Sequence, residues 1–245
     1  NSARGRELSD RMLARMSEQL ASGGGAGVLF RNRVLADDSA SAAYGLATAQ
    51  EFARFAASRP VWFTPTLVVY RDLMLHNEPE TWRKPELRYV PGVVRDAEEL
   101  PRLDPNATAA DRERGREGWR RAKASFTALV NAGAKFLAGT DAPVYPVVPG
   151  FSLHEELALL REIGLTPLGA LQAATRNAAE AAGLLDEVGT IEVGKSADLV
   201  LLDADPLADL ANTRAIDAVV TRGRLLDRGT LDRMLGDAEV FARSR

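Results

Sequence analysis

The short apolar run Ala134-Lys135-Phe136-Leu137-Ala138 narrows the folding options of this chain more than any other segment, because of what lies on either side of it. A long helical pattern over residues 110–132 leads to it through Gly133, and a glycine just past a helical pattern is a C-terminal stop. The run then passes directly into Gly139-Thr140-Asp141. In parallel α/β architectures, polar residues at the C-terminal ends of strands point into the active-site crevice, so position alone makes Asp141 a site candidate. An Asp that caps the turn Asp141-Ala142-Pro143 has the same spacing, and spacing by itself does not separate the two.

The rest of the chain alternates helical and strand-like stretches. Leu8, Met12, Leu13, Met16 and Leu20 recur at helical steps, which predicts an amphipathic helix over Glu7 to Leu20 that Gly23-Gly24-Gly25 ends. A second helix is expected from Thr48 to Ala57, with Phe52, Phe55 and Ala56 on one face. Val61 to Tyr70 is rich in β-branched and aromatic residues and reads as a strand that breaks or bends at Pro65. Five prolines among many charges make His76 to Asp111 an irregular surface excursion, expected to act as a mobile cover. Two helices follow, Ser152 to Ile163 with Ser152 as N-cap and Glu155 three residues on, and Pro167 to Ala182 with Thr166 as cap and proline at the first helical position. After Gly183 the texture changes to short strands, among them Gly189 to Ile191, Ala197 to Leu202 and Ala218 to Thr221, before a closing helix from Leu231 to Arg243.

Composition bounds the partners. With 245 residues, 46% of them hydrophobic, the chain is able to bury a sizeable core. A formal net charge of -3 with interspersed signs gives no electrostatic footprint for nucleic acid and no polybasic membrane anchor, which favours a small-molecule or peptide partner. The absence of cysteine excludes disulfides, thiolate zinc sites and cysteine nucleophiles, and leaves the compartment open. No apolar run approaches the roughly 18 residues of a membrane span, and the start Asn1-Ser2-Ala3-Arg4 reads as the interior of a longer gene product.

Several blocks, in order, carry a resemblance. They are Val61 to Val69 with Pro65-Thr66-Leu67-Val68, Ala138 to Pro143 with Gly139-Thr140-Asp141, Pro149 to Leu157, Leu165 to Ala179, and Gly189 to Leu202. Together they resemble the amidohydrolase superfamily, in its imidazolonepropionase-like and Xaa-Pro dipeptidase-like branch. The resemblance implies an α/β fold, the C-terminal part of a (β/α)8 TIM barrel with a small β-sandwich, and one or two divalent metals, zinc first among them, at the barrel mouth. It makes Val61–Val69 the seventh strand and Ala138–Pro143 the eighth, whose Asp, here Asp141, ligates metal and handles protons. A metal-bound water of lowered pKa beside such a carboxylate suits hydrolysis of an amide or peptide-like bond. The implied division is a helical insertion over 1–60, strands seven and eight with their helices and a long loop over 61–185, part of the β-sandwich over 186–228, and a C-terminal helix over 229–245.

The departures are equally informative. The family builds its metal site largely from histidines on earlier strands, whereas this chain has only His76 and His154. A zinc site needs three or four protein ligands, so the expectation is a preceding or companion polypeptide that supplies the remaining strands and ligands. A non-catalytic fragment or degenerate scaffold is the alternative reading, and a homo-oligomer is compatible with either. His154 suits substrate contact or support of Asp141, or else a helix-start histidine bonding neighbouring backbone. Tyr70 and Tyr145 follow the two strand ends and suit either a pocket wall or ordinary packing. His76 reads as a surface or lid residue. Lys195 matches phosphate-loop spacing in Gly189 to Ser196 without the strand before and helix after that such a loop requires.

Overall fold

A computed structural model describes residues 46–59, 61–95 and 103–244. The helix expected over Glu7 to Leu20 lies outside them. Helix α1 (Leu46–Ala57) is present, but the face through Phe52 and Phe55 is exposed while Ala53 turns to the core. Strands β1 (Trp62–Phe63) and β2 (Lys135–Phe136) pair in parallel, Trp62 opposite Lys135 and Phe63 opposite Phe136. Between them run α2 (Leu67–Met74) and the 23-residue α3 (Ala109–Asn131). A reciprocal capping box of Thr108 and Asp111 starts α3, and Gly133, at φ 81, ends it in the left-handed conformation that glycine adopts without steric cost.

The strand expected over Val61 to Tyr70 therefore survives only as Trp62 and Phe63, and beyond Pro65 the chain is helical. Val68, Val69 and Tyr70 disfavour helix by roughly half a kcal/mol each, whereas burying an aliphatic side chain contributes about 1.5–3 kcal/mol. Leu67, Val68, Val69 and Leu73 are all buried in the helical arrangement, so packing overrides propensity.

The segment expected to be irregular is largely 3-10 helix, over Pro79–Trp82 and Pro85–Tyr89, followed by a helical turn over Gly92–Arg95. Each turn begins at or just after a proline, so the prolines start structure here rather than break it. The Thr81 hydroxyl donates to the Leu75 carbonyl at 2.8 Å and the Trp82 indole N–H to the His76 carbonyl at 2.7 Å, fastening the segment to the end of α2.

Helix α4 (Phe151–Glu162) is capped by Gly150, not by Ser152, whose buried hydroxyl has no hydrogen-bond partner among the described residues. The helix expected over Pro167 to Ala182 is two, α5 (Pro167–Ala174) and α6 (Arg176–Ala181). They break at Thr175, which leaves helical geometry (φ -129°, ψ -92°) while its hydroxyl donates to the Leu171 carbonyl at 2.8 Å. Thr166 caps α5 as expected, accepting from the Gly169 N–H. Leu67, Val68, Phe136, Leu157, Leu160, Ile163, Ala170 and Ala173 from these elements share one core.

Strands β3 (Leu199–Leu202), β4 (Ile216–Thr221) and β5 (Arg224–Leu226) form an antiparallel sheet in that order, with a bulge at Leu201/Leu202. Gly189 to Ile191 joins no strand: Gly189 has φ 92 and Ile191 is exposed. Helix α7 (Arg228–Arg243) starts earlier than expected, because the Asp227 carboxylate accepts from the Thr230 N–H and caps it. The whole is an α/β arrangement in which two parallel strands are flanked by helices.

Candidate active site

Strand β2 is held on both sides. The Leu137 N–H donates to the Phe63 carbonyl at 2.8 Å, the Ala138 N–H to the Ala173 carbonyl at 3.0 Å, and the Asn177 side-chain amide to the Phe136 carbonyl at 3.2 Å. A Cβ at Gly139 would stand 2.4 Å from Thr64 Cγ2, so glycine is what lets the two strand ends meet. Two residues on, Asp141 adopts φ 53, a left-handed conformation that Asp tolerates better than most residues. Its carbonyl accepts from the Val144 N–H at 3.2 Å and its side chain is exposed. The turn after the strand is thus closed by the Asp141 backbone carbonyl, and its carboxylate is presented to solvent beyond the strand.

The start of α2 is capped by a residue that sequence reasoning missed. Glu156 of α4 is wholly buried, and its two carboxylate oxygens accept from the Leu67 N–H at 3.0 Å and the Val68 N–H at 2.8 Å. These are the first amides of α2, which have no partner inside the helix, and the positive end of the helix dipole lies there too. Burial nevertheless pushes the Glu156 carboxyl up to about 7, against the pull of these two donors and of Arg71. A polar residue in the apolar stripe of α4, in line with Leu160 and Ile163, was the available signal.

Beside it lies a partly buried ionic cluster. Lys84 reaches the Asp72 carboxylate at 2.5 Å and the Glu155 carboxylate at 3.1 Å, and Arg71 contacts both of the same acids. Burial acts to raise the Glu155 carboxyl, but Arg71 and Lys84 outweigh it and hold it below the ordinary carboxylate range. Glu155, expected to support a cap at Ser152, instead ties α4 to α2 and to the 3-10 segment.

The other expected site residues are dispersed. His154 Nδ1 lies 2.9 Å from the Thr213 hydroxyl, which itself donates to the Leu210 carbonyl, so Nδ1 is placed to donate. Burial holds this imidazole below its ordinary pKa, and the charge of Arg214 acts in the same direction. His76 Nδ1 donates to the Leu73 carbonyl at 2.7 Å. Tyr70 meets the Phe126 ring edge-on, and Tyr145 packs against Trp82 with ring centroids 5.7 Å apart. Lys195 bonds the Leu185 carbonyl and the Thr190 hydroxyl within its own turn, which is not a phosphate loop. Among the described residues, no three of His, Asp and Glu are grouped to hold a metal ion, so these residues do not fit a complete metal centre by themselves. A cleft of about 360 Å³ opens around Trp62, Lys135 and Phe136, and none of Asp141, His154, Tyr70 and Tyr145 lines it.

Compared with known proteins, residues 56–226 match the amidohydrolase family, a span well over half of the chain. The chain belongs to the amidohydrolase family. Among its amidohydrolase-like relatives, the imidazolonepropionase of Geobacillus sp. (strain WCH70) is 38% identical over 106 residues, 40% of this chain and 24% of that protein. A solved bottromycin amidohydrolase is 31% identical with a TM-score of 0.58, over 77% of this chain and 41% of that one. A Xaa-Pro dipeptidase with bound methionine in its active site is similar in fold, with a TM-score of 0.53 at 21% identity, over 75% of this chain and 39% of that one. The chain spans about a quarter of the length of the curated relatives it matches.

Proposed function

We propose that this amidohydrolase-family chain is the C-terminal part of a (β/α)8 TIM-barrel hydrolase that cleaves an amide or peptide-like bond, with Asp141 as metal ligand and proton shuttle. The observation that carries the reading is the exposed Asp141 carboxylate just beyond a parallel strand pair. On this reading β1 and β2 are the seventh and eighth barrel strands. Asp141 takes a proton from the attacking water and passes it to the leaving nitrogen, which an exposed carboxylate on a fixed strand end is placed to do. A divalent ion, zinc or another, would have Asp141 as one ligand and its remaining ligands from polypeptide beyond the described residues; when bound, such an ion lowers the pKa of its water toward neutrality. His154, Tyr70 and Tyr145 are proposed as substrate contacts, in a pocket completed by the loops of the other strands.

Exposed apolar residues support the same reading. Val200, Leu201 and Leu225 of the three-stranded sheet are exposed, as expected of half a β-sandwich awaiting strands from elsewhere. Further polypeptide, in the same gene product or in a companion chain, would close the barrel and cover this sheet. In the complete protein, Asp141→Asn is expected to lower kcat about 1,000-fold on a panel of dipeptides and N-acyl amino acids with zinc added, with the melting temperature nearly unchanged. Near wild-type turnover by this variant would overturn the assignment.

A further inference from the structure

We propose that Glu156 is a positioning residue for the strand end that carries Asp141: clasping the first two amides of α2, it holds the Thr64-Pro65-Thr66 turn, whose Thr64 methyl abuts Gly139. The inference rests on the reading of Asp141 as the proton-handling carboxylate.

The path from one carboxylate to the other is short and stiff. Thr66 occupies the N-cap position of α2, yet its left-handed backbone (φ 48°, ψ 48°) leaves its own hydroxyl without a capping bond. The cap comes instead from Glu156, 88 residues from Val68. Where α2 begins is thus set by α4 rather than by its own sequence. Only two residues separate the first clasped amide, at Leu67, from Thr64. One is Pro65, whose ring fixes φ, and the other is Thr66 in a narrow left-handed well. With both constrained, the place of Thr64 follows from the clasp. Thr64 Cγ2 then lies where a Gly139 Cβ would be only 2.4 Å away, so the strand ends meet without slack two residues before Asp141.

A buried carboxylate is a costly way to cap a helix when Ser, Thr, Asp or Asn at the N-cap position serves the same end from the surface. What Glu156 adds over a local cap is the tie between α4 and the strand end. The charged groups around it are Arg71 and Asp72 on α2, Glu155 on α4 and Lys84 on the 3-10 segment. The last three are joined to Arg71 or to one another, and the two backbone amides of α2 remain the direct partners of Glu156.

The test uses the complete protein with Glu156→Gln and Glu156→Leu, read by steady-state kinetics and by amide hydrogen exchange. Gln keeps one acceptor and turns an NH2 toward the second amide, and Leu keeps neither. The expected result is a fall in kcat of about 10-fold for Gln and about 100-fold for Leu, the scale of ångström-level misplacement, with KM within about twofold of wild type. Exchange should quicken at Leu67 and Val68 and also at Gly139 to Asp141. As a second route, Gly139→Ala should lose kcat through its clash with the Thr64 methyl, and adding Thr64→Ser should restore most of it. A folded Glu156→Gln protein with wild-type kcat, while Asp141→Asn is inactive, overturns the positioning role and leaves the function standing. If Asp141→Asn remains active, the functional reading fails, and unchanged exchange at Gly139 to Asp141 in Glu156→Gln then overturns the clasp separately.

Discussion

Glu156 and His154 sit two residues apart on α4 and respond to burial in opposite senses, so their contributions to stability change with pH in opposite directions. The folded-state pKa of Glu156 lies near 7, above its ordinary 4.5, so the folded protein holds that proton more tightly than the unfolded chain does. Its contribution to stability is complete below about pH 4.5 and is lost as the pH rises through about 7. For His154 the folded value is depressed from 6.5, so its contribution is complete above that pH and is lost as the pH falls through the folded value. The two effects oppose each other below about pH 7, so Glu156→Gln, which leaves His154 untouched, should make urea stability rise more steeply from pH 5 to pH 7 than it does in the wild type. At fixed pH, Glu156→Leu strands two buried amides and is expected to cost about 2 kcal/mol, read as a lower urea midpoint at unchanged slope. The place of Asp141 was legible in the sequence because it depends on one strand and the turn after it. Glu156 was not, because its partners lie nearly ninety residues away and no local pattern names them.

Among the elements, those whose ends are chemically marked were read closely. Thr108 with Asp111 and Gly133 bound α3, and Thr166-Pro167 opens α5. The failures lie where long-range contacts decide: α2 was read as strand from its β-branched residues, and the proline-rich excursion was read as irregular although its charges are partners for α2 and α4. Lys84 is the residue that makes this excursion a fixed element. Lys84→Met leaves Asp72, 2% exposed, and Glu155 with Arg71 as their shared cation, and should cost about 3 kcal/mol in thermal or urea unfolding. Arg83→Ala, which removes a fully surface-lying pair with Glu80, should cost less than about 0.5 kcal/mol. Equal losses in the two variants would mean that the cluster is solvated and the excursion only lightly held.

At the scale of the molecule, the described part of the chain has an α/β body built on one parallel strand pair, with β2 held on its far side by Ala173 and Asn177, and a sheet that exposes Val200, Leu201 and Leu225. Residues 1–245 expressed alone are expected to associate or aggregate, and to become monodisperse when co-expressed with polypeptide carrying the remaining barrel strands. Light scattering after size exclusion decides this, and a monodisperse, cooperatively unfolding monomer would overturn the expectation. The parallel pairing of Trp62 with Lys135 carries a further consequence, one of timing. Helix α3, with a capping box of its own, forms from neighbouring residues in about a microsecond, whereas joining these two strands must close a loop of about seventy residues before any contact repays it. Synthesis runs from the amino terminus, so Thr64 leaves the ribosome well before Gly139 does. Until the second strand docks, Asp141 hangs on an unanchored end, and a nascent or half-folded chain carries the carboxylate without the fixed station that the proposed proton shuttle requires.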